Sequence, residues 1–404
     1  MRTTGGDKTG PRGPRNIERR LIMSDETKIQ WCDSTVNPVM GCGGCPLWPT
    51  PAALRKAPAA ELAQHGVPAQ EAQRLLDGAL DGLTATDVYQ RRRAIAAKLE
   101  RQAGPGARNG RRMRGALQAC IERPFSCYAG KLHCNKGLNG EKPDKKISKG
   151  YAPTFERVTC FPGRMAEMAR KADLAGKPRP DRRVTRKGKS RTVPGKPWLD
   201  GMPRLVFVSD MGDALSRGVG FGFLKDEIIG AVSSQEGARH IWLWVTKRPA
   251  RMAEFARWLR EEHGIPWPDN LVAMTSVIDQ RMARAVDDLR KVPARLRGLS
   301  VEPLLERVQI DLTGIGWAIV GGESGPHGRP FDLAWPRDLR DECRQRGIAC
   351  FVKQLGRRPV ENGQALKLRD PHGGDWSEWP GDLRVREMPG AFRTLARKTA
   401  AIIR

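Results

Sequence analysis

Ile241-Trp242-Leu243-Trp244-Val245 is an unbroken apolar run, and Thr246-Lys247-Arg248 ends it abruptly. A strand that is apolar on both faces has to be covered on both faces, as in the centre of a parallel sheet. The amphipathic stretch over 249–262 supplies one such cover. The same unit recurs in both directions. Upstream lies Leu205-Val206-Phe207-Val208. Downstream lie Leu271-Val272-Ala273-Met274, Gly298-Leu299-Ser300-Val301, Trp317-Ala318-Ile319-Val320 and Ala349-Cys350-Phe351-Val352. The spacing predicts helices over 222–233, 249–262, 281–291 and 336–347. Six such runs predict an α/β fold built on a parallel (β/α) barrel, full or partial. A doubly wound open sheet is the competing arrangement.

The residues that end the runs point to the site. Val208 is followed by Ser209-Asp210, Val245 by Thr246-Lys247, and Met274 by Thr275-Ser276. Val301 leads to Glu302, Val320 to Gly321-Gly322-Glu323, and Val352 to Lys353-Gln354. In parallel α/β folds the carboxyl edge of the sheet carries the active site. Lys247, Glu302, Glu323 and Lys353 would then share one mixed-charge mouth suited to a zwitterion or a polar ring. Each taken alone also reads as a structural ion pair. Gly321-Gly322 gives a backbone that a ligand can approach closely.

Composition bounds the partners. The 404 residues carry 71 Lys+Arg against 45 Asp+Glu, a net charge of +26. Such a surplus attracts polyanions, nucleic acid first and an anionic cofactor second, although a general drift toward Arg would give the same sum. No stretch has the roughly 18 apolar residues of a membrane helix, so no membrane partner is expected. Residues 1–22, rich in Gly, Pro and Arg, read as a disordered leader without a secretory signal. The expected location is the cytoplasm. In that reducing setting the nine cysteines read as metal ligands or buried thiols rather than disulfides.

The cysteines fall into groups. Cys42-Gly43-Gly44-Cys45 is parted from Cys120, Cys127 and Cys134 by a helical insertion over 46–126. Three thiolates with a fourth position open suit a [4Fe–4S] cluster, and a fourth Cys would close a structural Zn site. Cys343, Cys350 and Cys160 read as buried core thiols. Basic stretches at 91–114 and 182–196 would hold nucleic acid by its phosphates. The segment 177–196 lacks apolar periodicity and reads as a loop.

Several segments occur in a telling order. They are Trp31, Asn37-Pro38-Val39, Gly41-Cys42, Cys127-Tyr128-Ala129, Phe207-Val208-Ser209-Asp210-Met211, Thr246-Lys247-Arg248-Pro249, Ser300-Val301-Glu302-Pro303-Leu304-Leu305, Val320-Gly321-Gly322-Glu323-Ser324-Gly325 and Lys353-Gln354-Leu355-Gly356. Together they resemble the phage-associated three-cysteine-motif family, which is similar to radical SAM enzymes. The resemblance covers 27–45 and 127–356, and 373–380 looks like that family's tail.

The resemblance implies cluster ligands at Cys42, Cys45 and Cys127, on a barrel domain made of 23–45 and 127–356, with 357–404 as a C-terminal extension. It places Tyr128 near an adenine, and Glu323, in Gly-Gly-Glu, resembles the element that holds a methionyl amino group, although it comes late in this chain. Cofactor-side candidates are therefore Tyr128, Ser209, Asp210, Gly321, Gly322 and Glu323; catalytic candidates are Lys247, Glu302 and Lys353. The usual motif keeps its three cysteines close together. Here about 80 residues intervene, a tolerable loop if its ends meet. Cys127 is favoured over Cys120 and Cys134 because Tyr-Ala follows it. The implied activity is reductive cleavage of S-adenosylmethionine, an electron coming from a reductant protein, to start radical chemistry on a nucleic acid or nucleotide. Two rivals stand beside it: a non-catalytic zinc protein that binds nucleic acid, and a Mg-dependent hydrolase or nuclease using Asp210, Glu302 and Glu323.

Overall fold

The computed structural model describes residues 23–24, 27, 29–42, 47–50, 82–102, 125–136, 152, 154–186, 189–325 and 327–394. The six apolar runs and Ser34–Val36 become the parallel strands of one curled sheet, which Met23–Ser24 joins antiparallel at its first edge. In chain order they are β1 (Ser34–Val36), β2 (Leu205–Val208), β3 (Ile241–Thr246), β4 (Leu271–Ser276), β5 (Arg297–Val301), β6 (Trp317–Gly321) and β7 (Ala349–Gln354). All seven are parallel, and their spatial order is their chain order. A doubly wound sheet reverses direction at a switch point. This one never does, and it is a half-barrel, a partial (β/α) barrel.

The helices are α1 (Ala85–Gln102), α2 (Tyr128–Lys136), α3 (Arg164–Ala169), α4 (Pro249–His263), α5 (Ala285–Arg290) and α6 (Ala334–Gln345). The predicted helix over 222–233 exists but passes through a π-helical turn, Lys225–Ile229. There the buried Glu227 accepts from the backbone N–H groups of Gly163 and Met165 at 2.7 and 2.8 Å, capping α3. The predicted helix over 281–291 is shorter, a 3₁₀ turn (Gln280–Met282) followed by α5.

Period-two alternation splits each strand between two cores. Val206, Trp242, Trp244, Ala273 and Leu299 pack outward against Met252, Phe255 and Leu259 of α4 and Val286 and Leu289 of α5. Leu205, Leu243, Val245, Val272, Met274, Trp317, Ile319 and Phe351 pack inward with Trp31 and Phe392. Both faces of the sheet are thus dry, which is why its strands read as unbroken apolar runs.

The half-barrel's last edge is covered. Val352 N–H donates to the carbonyl of Val385 at 2.8 Å, and Glu387 N–H donates to the carbonyl of Cys350 at 2.9 Å. The segment around Val385–Glu387 therefore contributes to the closure of the sheet, blunting an edge that would otherwise pair with another chain. Beside it the Arg386 guanidinium lies over Trp198 at 4.1 Å and Trp376 at 4.5 Å, and burial lowers its pKa to about 10.

Two sequence expectations are corrected. The stretch 177–196 contains an antiparallel hairpin, Arg182–Arg186 with Lys189–Val193. Backbone pairing alone holds such a ribbon, so it needs no apolar period. Cys160 is exposed, because it ends a two-residue edge strand against Val39–Met40. Cys343 and Cys350 are buried as expected. Residues 1–22, Cys45, Cys120 and most of the 46–126 insertion lie outside the described residues.

Candidate active site

The inward face of each strand continues into a polar side chain at its carboxyl end. After Phe207 comes Ser209, after Val245 Lys247, after Met274 Ser276, after Ser300 Glu302, and after Phe351 Lys353. The contacts confirm the parity. Lys247 Nζ lies 3.5 Å from Ser276 Oγ, and Lys353 Nζ lies 3.3 Å from Glu302 Oε2. The three predicted catalytic residues therefore share one rim above an apolar floor.

That rim is under-satisfied. Ser209 has φ 70, an unusual backbone for a residue with a side chain, and its buried Oγ has no hydrogen-bond partner among the described residues. Glu302 Oε1 is also buried without a partner. Lys247 meets no carboxylate among the described residues. Asp210 accepts from Asn37 Nδ2 at 2.6 Å. Burial raises its pKa, against the opposing hydrogen bonds from Asn37 and Thr35. Asn37 is fixed in turn, since its Oδ1 accepts from Met211 N–H at 2.8 Å and its carbonyl accepts from Arg164 Nη1 at 2.7 Å.

Two cysteines reach the same end of the sheet. Cys42 lies in the connection that leaves β1, and its N–H donates to the carbonyl of Phe155 at 2.7 Å. Gly41 (φ 90) makes that path possible, because a Cβ there would meet the Arg157 carbonyl oxygen at 2.7 Å. Cys127 immediately precedes α2, and its N–H donates to the carbonyl of Leu47 at 2.9 Å. Both half-buried thiols pack on one apolar cluster that includes Met40, Trp48, Tyr89, Phe125 and Phe155. Glu156 ties α1 of the insertion to this cluster, accepting from Trp48 Nε1 at 2.8 Å and from Thr86 N–H at 2.7 Å.

Arg248 joins Cys42 to the rim. Its Nη1 donates to Asp213 Oδ2 at 2.9 Å and lies 3.6 Å from Cys42 Sγ. Burial works against its charge, but Asp213 and Cys42 more than offset this, so its pKa is raised. Asp213 also accepts from Thr246 Oγ1 at 2.9 Å and from Lys247 N–H at 3.1 Å, fixing the end of β3. Asn37 and Arg248 stood in the sequence motifs without an assigned role. Asp213, alone in a loop, gave no signal.

Other predicted residues are placed differently. Glu323 is held by Arg329, with Nε to Oε2 at 3.0 Å and Nη2 to Oε1 at 3.2 Å. The Gly321-Gly322 backbone is already crowded. A Cβ on Gly321 would sit 2.9 Å from Glu302 Oε1, and one on Gly322 would sit 2.6 Å from the Leu355 carbonyl oxygen. These glycines therefore admit the protein's own groups. Tyr128, at the start of α2, is 62% exposed. Cys134 is buried, and burial pushes its thiol up to about 12, opposed by a hydrogen bond with Thr86. Among the described residues no three His, Cys, Asp or Glu side chains gather as a metal site. Asp210, Glu302 and Glu323 in particular each engage a different neighbour.

No curated protein and no solved structure matches the chain. A family profile described as "Protein of unknown function (DUF5131)" matches residues 126–380, more than half of the sequence, and covers Cys127 and all the strands but β1. The chain belongs to the DUF5131 family.

Proposed function

We propose that the chain is a radical SAM-like enzyme whose [4Fe–4S] cluster is held by Cys42, Cys45 and Cys127 at the mouth of the half-barrel. One observation carries the reading: Cys42 and Cys127, far apart in sequence, meet the same apolar cluster beside the strand ends, with Arg248 reaching the first of them. Soft, partly accessible thiols on a dry backing suit an iron–sulfur cluster. Bound there, the cluster would supply the electron that cleaves a C–S bond of S-adenosylmethionine.

The chain's own residues do the rest. Arg248 brings a cation, anchored by Asp213, against the Cys42 sulfur. Lys247 offers a cation to a ligand carboxylate, while Glu302 offers its unpartnered oxygen to an ammonium. Ser209 Oγ and Asp210 line the same rim, and exposed Tyr128 beside Cys127 offers a face for an adenine. The apolar floor of Val245, Met274, Ile319 and Phe351 keeps water from the reacting groups.

The test is anaerobic purification with iron, sulfide and absorbance analysis of the wild type, Cys42→Ala and Cys127→Ala. About four irons per chain and a band near about 400 nm, both lost in the variants, are expected. Stoichiometric zinc without iron would overturn the reading in favour of a structural zinc protein.

A further inference from the structure

The described parts of the two basic stretches lie at opposite ends of the half-barrel, while residues 103–114 and 187–188 lie outside the described residues. Arg91, Arg92 and Arg93 sit on α1, which packs with Cys42 and Cys127 at the carboxyl end of the strands. Arg92 there is buried, its guanidinium over Phe125. The hairpin Arg182–Arg186/Lys189–Val193 is rooted at the amino end. Arg179, just before it, forms a two-pronged pair with Asp33 at 3.1 and 3.2 Å, and Asp33 also accepts from the N–H of Leu205, the first residue of β2. Lys196, just after it, donates from Nζ to the carbonyls of Thr27, Ile29 and Cys32 at 2.9, 2.6 and 2.6 Å. The two legs touch at Gly195, where a Cβ would lie 2.3 Å from the Arg179 carbonyl oxygen. The stem is therefore fixed, while Arg182, Arg183, Ser190 and Thr192 beyond it are exposed.

The register sorts the charge. Arg182 pairs with Val193, Val184 with Arg191 and Arg186 with Lys189; these positions share one face of the ribbon. The other face carries Arg183, Thr185, Ser190 and Thr192. Four cationic residues thus occupy one face, with no Asp or Glu between 182 and 196. Like charges placed directly opposite each other, as at Arg186 and Lys189, destabilise a ribbon. A rigid stem presenting self-repelling charge is complementary to a polyanion.

We propose that this hairpin is a docking arm for double-stranded DNA, laid into the major groove by its cationic face at the end of the half-barrel remote from the cysteines. The major groove of B-DNA admits a two-stranded ribbon, whereas the deep, narrow major groove of A-form RNA does not. A five-residue ribbon is about 17 Å long, a length over which duplex DNA carries about ten phosphate charges. The arm tethers the enzyme to its target rather than presenting the reacting group. The inference stands whatever the cysteines hold.

The test is fluorescence anisotropy of the full chain with a labelled duplex, titrated across salt. The quadruple variant Arg182→Gln/Arg186→Gln/Lys189→Gln/Arg191→Gln is expected to bind at least about tenfold more weakly at about 0.1 M salt. The slope of log K against log salt should become shallower by about 3 to 4, for four lost phosphate contacts. A charge-matched variant at exposed positions elsewhere, Arg217→Gln/Arg257→Gln/Arg284→Gln/Arg344→Gln, should keep the wild-type slope to within about 1. Should the quadruple variant fail to fold, Lys189→Gln/Arg191→Gln should give half the change in slope. The proposal is overturned if the wild type does not bind the duplex at low salt. It is equally overturned by an unchanged slope in the hairpin variant, by an equal loss in the charge-matched variant, or by tighter binding of duplex RNA than of DNA.

Discussion

Lys353→Met tests whether the rim is built at the expense of stability. Lys353 and Glu302 keep only 22% and 11% of their side-chain exposure and lie 3.3 Å apart. At an effective dielectric near 20 their attraction is about 5 kcal/mol, most of it offset by the cost of drying both charges. Among the described residues Lys353 is the only hydrogen-bond partner of the Glu302 carboxylate, whose other oxygen is buried and finds none there. Removing the lysine leaves that carboxylate with nothing. Breaking a fully buried pair costs about 3–5 kcal/mol; the residual exposure here places the expected loss at about 2–3 kcal/mol. The double variant Glu302→Met/Lys353→Met removes both charges and should recover to within about 1 kcal/mol of the wild type. Urea titration followed by tryptophan fluorescence measures all three proteins. A loss below about 0.5 kcal/mol for Lys353→Met, or a double variant no more stable than the single one, would refute the reasoning.

Asp210 gives a pH prediction. Burial raises its pKa above the ordinary value of 3.8. The stability contributed by its neutral form is therefore fully present below pH 3.8 and is lost as pH rises through the native value. Asp210→Asn, which can still accept from Asn37, should melt above the wild type at neutral pH, with the gain vanishing as pH falls toward 4; a lower melting temperature at neutral pH would count against the argument. Glu323→Gln should weaken the two-pronged pair with Arg329 and cost about 1–3 kcal/mol in urea titration while leaving iron content unchanged. Loss of iron would instead place Glu323 at the cofactor.

The scaffold was legible because burial on both faces leaves a signature that needs no partner information. Trp242, Leu243, Trp244 and Val245 can only be a central strand, and the run of six predicted strands matches β2 to β7 closely. β1 (Ser34–Val36) was not legible as a strand, since Ser34 and Thr35 are polar residues buried by hydrogen bonding and packing. Alternation also carried Lys247, Glu302 and Lys353 onto one rim, since a strand's parity continues one residue past its end. Glu323 escaped this logic. The register of β6 with β7 shifts between Val320 and Gly321, and beyond that irregularity the chain turns Glu323 toward Arg329. Nor could spacing reveal Arg248 at Cys42, a contact between residues more than 200 positions apart.

Buried polar groups without a partner occur in both cores, as at Trp31 and Trp244, but several departures from ordinary packing gather in two places. At the carboxyl end of the strands lie the positive φ of Ser209, its hydroxyl and an oxygen of Glu302 without partners among the described residues, a lysine that meets no carboxylate among them, and a carboxyl group whose ionisation burial opposes. Around the amino end lies a ribbon whose register sets Arg186 against Lys189. Between them, the sheet's inner and outer cores are apolar and closely covered. Unsatisfied polar groups gathered at the strand ends, and like charges set opposite each other in a ribbon, mark these two places as candidates for function. The two kinds of violation also differ in chemistry. Oxygens without a partner, and a lysine that meets no carboxylate among the described residues, ask for a small ligand of mixed charge, whereas a row of cations asks for an extended anion. On the proposed reading, one end would hold a cofactor and the reacting group, and the other would hold an extended anion. Loss of the hairpin charges should accordingly weaken duplex binding while iron content and the absorbance band stay at wild-type levels, and loss of Cys42 or Cys127 should do the reverse. A hairpin variant that lost iron, or a cysteine variant that lost duplex binding while still folded, would show that the two ends are not separate sites.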